Sequence, residues 1–417
     1  MKRIGKLTSD AHKLFQNKEY EKAEAKLIEA VNANEFEATS MLALMYITGF
    51  GAKKDIDKGL EYLFIGDKHD DPESISALGD YYYEGKYIEK DLDKARSYYK
   101  RAADLEEPHA VGMLGLFLFN EEKYKEAIYY FKEATCDYDT NAMYYLAKCA
   151  YNGLGMEKDY ILAFEIYKKL YQYDEYNYEI IKLLADMYFN GYGTDQDIEK
   201  AKELYERLDD DESLFNLGLI YKNYLQEYDK ALEYFKRVKN EKSQFEQALM
   251  LYNGLGMPEN KNDAYFKFYA CAMSKYIYSY PFVGDCYYYG YGVKQDYTEA
   301  LKWYNLALES GIKNQRLNIA MVYLKLKKYD DAIKYLLEEE DSINKYKALG
   351  ETYKKQKKYS ESYNAFLKAS ELNDADSCYI VYKLLKKGKG VKKDKYEAQV
   401  YFQKYIILTS PIVEENT

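Results

Sequence analysis

The stretch "YNGLGMEKDY" at 151–160 decides how this chain is read. Taken alone, it looks like a glycine loop that cradles a phosphate. Nearly the same letters return as "YNGLGMPENK" at 252–261, with variants at 189–198 ("FNGYGTDQDI") and 288–297 ("YYGYGVKQDY"). A nucleotide site needs one such loop, so the recurrence points to a repeat architecture. Paired glycines stand at Gly49/Gly51, Gly153/Gly155, Gly191/Gly193, Gly254/Gly256, Gly290/Gly292 and Gly388/Gly390, and in a seventh copy Tyr87 follows Gly85. Eight positions after the second loop position comes a small residue: Gly59, Ala95, Ala163, Ala201, Ala264, Ala300 and Ala398. An aromatic usually follows four later, from Tyr99 to Phe402, with Leu63 as the exception.

Shorter units fill the gaps, as in "NEEKYKEAIYYF" (120–131) and "KLKKYDDAIKYL" (325–336). In these a Tyr replaces the glycine loop, and the small residue follows three later, at Ala23, Ala127, Ala231, Ala332 and Ser362. The combined ladder from Ala23 to Ala398 has a mean step of about 34 residues, the tetratricopeptide helix–turn–helix period. Helix A of each unit carries an L-G/A-x-x-Y core, as in Leu78-Gly79…Tyr82 and Leu184-Ala185…Tyr188, whose residues share one helix face. Helix B carries the small residue and the aromatic, also on one face. A single pair cannot bury both faces, so pairs must stack. The fold class expected is all-α, a solenoid of about twelve antiparallel helix pairs. Its expected extent is one continuous domain over 1–405, with repeats from about residue 8 and a tail at 406–417.

"LADMYFNGYGTDQDIEKAKELYERL" (184–208) and "VGDCYYYGYGVKQDYTEALKWYNLALESG" (283–311) resemble Sel-one-like repeats, relatives of the tetratricopeptide with a longer, glycine-containing turn. The units without glycine are similar to ordinary tetratricopeptide repeats, and together the resemblance covers roughly 8–405. It implies a right-handed α-α superhelix used as a scaffold or adaptor for other proteins, with helix A lining the concave surface. Tyr87 in place of a loop glycine, Asn260 in place of Asp, and Gly59 in place of Ala are departures that imply locally divergent turns.

The loops make sense as punctuation. The first glycine is placed to end helix A in the left-handed conformation. Asp55, Asp91, Asp159, Asp197, Asp296 and Asp394 are placed to N-cap helix B, and Asp296/Glu299 and Asp394/Glu397 resemble capping boxes. No Walker or dinucleotide pattern is present, and the Asp would repel a phosphate.

Composition agrees with a protein-binding array. The 417 residues carry 60 Lys and Arg against 70 Asp and Glu, a net charge of −10 that argues against nucleic acid as a partner. Fifty-three tyrosines suit the half-buried surface of an elongated stack. Cys136, Cys149, Cys271, Cys286 and Cys378 form no C-x-x-C pair and read as small buried hydrophobes in a reducing compartment. With neither a signal peptide nor an apolar membrane span evident, a cytoplasmic location is expected.

Chemistry is poorly supplied. His12, His69 and His109 lie on different units and read as surface or capping residues, so no enzyme activity, metal or cofactor is expected. The lysine runs at 325–328, 354–358 and 383–395 sit at the ends of helices A, where cations complement the macrodipole; a basic surface for an acidic partner is the other reading. More specific is a row of asparagines at one register of helix A: Asn120, Asn152, Asn190, Asn223 and Asn253. Aromatics flank it at Tyr151, Phe189, Tyr252 and Tyr288. An amide offers a donor and an acceptor, so such a row is suited to gripping the backbone of an extended peptide; asparagine also favours helix ends beside glycine. The expected function is a non-catalytic protein- or peptide-binding scaffold. A regulatory subunit that captures a small molecule or sugar in an aromatic groove is the alternative. Homo-oligomerisation is possible but not indicated.

Overall fold

The structure, a computed structural model, describes residues 5–135 and 139–410. Among them are twenty-four α-helices and no strand. The chain divides into two compact units, residues 1–209 and 210–417. In the first stand α1 (Lys6–Gln16), α2 (Tyr20–Asn32), α3 (Thr39–Thr48), α4 (Ile56–Lys68), α5 (Pro72–Glu84), α6 (Leu92–Asp104), α7 (Pro108–Asn120), α8 (Tyr124–Thr135), α9 (Thr140–Asn152), α10 (Tyr160–Tyr173), α11 (Tyr178–Asn190) and α12 (Ile198–Tyr205). In the second stand α13 (Asp211–Asn223), α14 (Tyr228–Arg237), α15 (Glu241–Asn253), α16 (Lys261–Met273), α17 (Tyr280–Tyr289), α18 (Tyr297–Glu309), α19 (Arg316–Lys325), α20 (Tyr329–Leu337), α21 (Ile343–Lys355), α22 (Tyr359–Glu371), α23 (Ala375–Lys387) and α24 (Lys395–Thr409). Odd-numbered helices are helices A and even-numbered ones helices B, six hairpins in each unit. Each helix B packs on its own helix A and, within its unit, on the next one.

Local chemistry sets the hairpins. Gly153 ends α9 with φ 74°, the left-handed conformation that glycine alone adopts cheaply, and its N–H donates to the Cys149 carbonyl. Asp159 then starts α10, its carboxylate accepting from the N–H of Leu162 at 2.9 Å. The other loop aspartates cap their helices B in the same way, and Asn260 replaces Asp without loss, accepting from Asp263 N. The capping boxes read from the sequence form by one arm only. The backbone N–H of Asp296 donates to the Tyr287 carbonyl and that of Asp394 to Leu385, so neither is left for the following Glu. The short turns reach the same left-handed stop without glycine, at Lys18, Glu122, Gln226, Lys327 and Lys357, with φ between 56° and 65°.

The small residue of helix A lies under the aromatic ring of its own helix B. A Cβ on Gly79 would stand 2.8 Å from Tyr99, one on Gly218 2.5 Å from Phe235, and one on Gly284 2.7 Å from Tyr304. Gly59 reverses the arrangement: a Cβ there would meet Ile47 of α3 at 2.4 Å, which explains this departure from Ala. A buried phenol needs an acceptor. The residue after the small one supplies it in three pairs, where Tyr99 donates to Asp80, Tyr205 to Asp186 and Tyr304 to Asp285 at 2.5–2.6 Å. Where helix B carries Phe131 or Phe235, the same position is Leu116 or Leu219.

Candidate functional site

In the first unit successive helices A touch one another along α3, α5, α7 and α9, and contact between successive helices B is thinner. Helices A therefore form the inner layer there. Between α5, α7 and α9 this layer opens into a cleft of about 300 Å3, lined by Asp80, Glu84, His109, Asp139 and Tyr145 among others.

Each polar group in the cleft is held by the fold. His109 occupies the first turn of α7, after Pro108, and the Glu107 carboxylate caps that turn by accepting from the N–H groups of His109 and Ala110. Its Nε2 lies 2.9 Å from Asp80 Oδ1, and its Nδ1 3.7 Å from Asp139 Oδ2. Asp139 also caps α9 through the N–H of Ala142, and Asp80 also accepts the Tyr99 phenol. The carboxylates of Asp139 and Asp80 push His109 up to about 10, against the opposing effect of burial, so an imidazolium bridges the two at neutral pH. This corrects the reading of His109 as a surface or capping residue. Its partners lie 29 and 30 residues away, about one repeat on either side, and that spacing was the available signal. His69 does occupy a helix C-cap, stacked on Phe36 at 3.6 Å. No group of His, Cys, Asp and Glu among the described residues is arranged to hold a metal ion.

The asparagine row falls partly in each unit: Asn120, Asn152 and Asn190 end α7, α9 and α11, and Asn223 and Asn253 end α13 and α15. All five are exposed. The side-chain amides of Asn152, Asn190 and Asn253 donate to the carbonyls of Lys148, Asp186 and Leu249, four residues back in the same helix. In this arrangement Oδ1 remains as the acceptor. The flanking aromatics pack into the array. Tyr151 contacts Tyr160 and Tyr192; Phe189 contacts Tyr205; Tyr252 contacts Phe268, Phe282 and Tyr291; Tyr288 is buried against Tyr297. Cys149, Cys271, Cys286 and Cys378 are buried, and burial raises their thiols; Cys136 lies outside the described residues.

The Sel1 repeat model matches eight segments: 36–64, 72–106, 112–137, 140–172, 182–208, 242–266, 282–312 and 383–404. Two tetratricopeptide repeat models match 212–241 and 316–338. The third Sel1 segment falls on a unit without the glycine loop, which the sequence placed with the tetratricopeptide type. Among solved structures, the c5321 protective antigen of uropathogenic Escherichia coli strains, which displays an SLR fold, aligns with a TM-score of 0.63 at 20% identity, covering 92% of this chain and 86% of the antigen. A Sel1 repeat protein from Oxalobacter formigenes aligns with a TM-score of 0.42 at 19% identity, over 73% of this chain and 99% of its own. No curated protein sequence matches the chain. No helix among the described residues is long and apolar enough to cross a membrane.

Proposed function

The chain belongs to the Sel1 repeat family, whose fold commonly mediates protein–protein interaction, and from that premise we propose that it is a non-catalytic binding scaffold that holds extended segments of a partner protein on its helix-A face. The observation that carries this reading is the cleft between α5, α7 and α9. It has room for one long side chain, and Asp80, Glu84 and Asp139 outnumber the single imidazolium. A lysine or arginine of the partner complements that charge. The exposed Oδ1 atoms of Asn152 and Asn190, further along the same unit, accept backbone N–H groups of the same segment.

Affinity capture of the native partner, followed by titration with peptides from it, tests the reading. Glu84 is exposed, so Glu84→Lys is expected to leave the melting temperature unchanged and weaken peptide binding about tenfold, as loss of one charge-assisted contact does. Equal affinity of the wild type and Glu84→Lys would remove the cleft from the binding face. Catalytic turnover by the purified protein would overturn the scaffold reading altogether.

A further inference from the structure

The outer face of α24 is apolar, as is that of α16, where Phe266 and Met273 are 62% and 63% exposed. Two and nine positions after the small residue, and two before it, α18 carries Lys302, Glu309 and Thr298. In α24 the same positions hold Val400, Ile407 and Tyr396, which are 52%, 72% and 84% exposed. With Gln403 they form one stripe at helical spacing along the outer surface. Leu408 is also exposed at the end of this helix.

Immediately before the stripe lies the most basic segment of an acidic chain. Residues 383–395 hold seven lysines and a single acid, Asp394, whose carboxylate caps α24. Lys386, Lys387, Lys389, Lys392, Lys393 and Lys395 are all exposed. The ammonium groups of Lys383 and Lys389 lie over the rings of Tyr379 and Tyr359 at 4.3 and 4.1 Å, in cation–π contact.

We propose that this end of the second unit docks on an anionic membrane surface. The lysines meet the lipid headgroups, while Tyr396, Val400 and Ile407 enter the boundary of the acyl chains. A run of lysines by itself would suit an acidic peptide equally well. The adjoining aliphatic stripe needs a partner that is both anionic and apolar. The cations are all lysine, point charges without the planar fork that reads phosphates individually.

Co-sedimentation of the full chain with phospholipid vesicles tests this. Vesicles containing roughly one-third phosphatidylserine are expected to bind the protein, and pure phosphatidylcholine vesicles at least tenfold less. Raising salt from about 0.1 to 0.5 M should release it. Lys387→Glu/Lys392→Glu/Lys393→Glu and, separately, Val400→Ser/Ile407→Ser should each weaken binding about tenfold with unchanged melting temperatures, because the altered side chains are exposed. Failure to bind phosphatidylserine vesicles at low salt would overturn the proposal. Binding that ignores the Val400→Ser/Ile407→Ser change, matched by equal binding to a polyglutamate peptide, would also overturn it and assign the surface to an acidic protein.

Discussion

Gly193, the second glycine of its loop, lies directly against the backbone of Tyr160, the first residue of the preceding helix B. A Cβ at Gly193 would stand 2.0 Å from the Tyr160 carbonyl oxygen, and the residue has φ 74°. Both the close approach and the left-handed backbone exclude a side chain. Gly191, with φ 70°, meets nothing closer than 3.3 Å. Gly193→Ala should therefore destabilise by about 3 kcal/mol or more through overpacking added to strain, and Gly191→Ala by about 1–2 kcal/mol through strain alone. Urea unfolding of the two variants checks the order; equal losses would show that the Tyr160 contact does not hold the pairs together.

Lys357 ends α21 in the left-handed conformation, φ 62°, in a turn where the longer units use glycine. Lys357→Gly should raise stability by about 0.5–1 kcal/mol, the relief of backbone strain exceeding the added flexibility of the unfolded chain. The unfolding midpoint in urea reports it.

Asp285 is half-buried, and burial raises its carboxyl despite the bond from the Tyr304 phenol. The folded state therefore holds this proton more tightly than the unfolded chain. Its contribution to stability falls as pH rises through the carboxylate range. Asp285→Asn keeps an acceptor for Tyr304 without the charge. It should raise stability at pH 7 by roughly 1 kcal/mol and leave it nearly unchanged at pH 3. Tyr304→Phe should instead cost about 1–3 kcal/mol at pH 7, because the ionised Asp285 then lacks its donor. Thermal melts at the two pH values distinguish the cases.

His109 titrates the other way. Its folded value of about 10 lies above the ordinary 6.5, so its contribution is complete below that ordinary value and is lost as pH rises through 10. The ring is partly exposed, which keeps the effect small. His109→Gln should cost about 1 kcal/mol at pH 6 and almost nothing above pH 10. A cost independent of pH would mean that the Asp80–His109–Asp139 bridge contributes by packing alone.

The repeat period, the helix ends at Gly153 and Asp159, and the pairing of small residue with aromatic were legible in the amino-acid sequence. Each depends on residues a few positions apart and on backbone preferences that do not change from unit to unit. Lys386 and Lys387 lie in the last turn of α23 as read, but Lys389, Lys392 and Lys393 lie in the loop beyond it and Lys395 begins α24. The capping boxes were over-read at Asp296 and Asp394, because the backbone N–H that a Glu would need is already bonded across the loop to helix A.

Neighbours one repeat apart were decided by the tertiary structure. The period brings residues about 30 positions apart close together, but the rotation of each helix in the stack selects which side chains meet. That rotation places His109 between Asp80 and Asp139, and Tyr160 beneath Gly193. It also leaves Tyr396, Val400 and Ile407 in solvent, where a pattern of apolar residues at helical spacing would otherwise read as core. Local backbone chemistry thus determined the unit, and packing between units determined its surfaces.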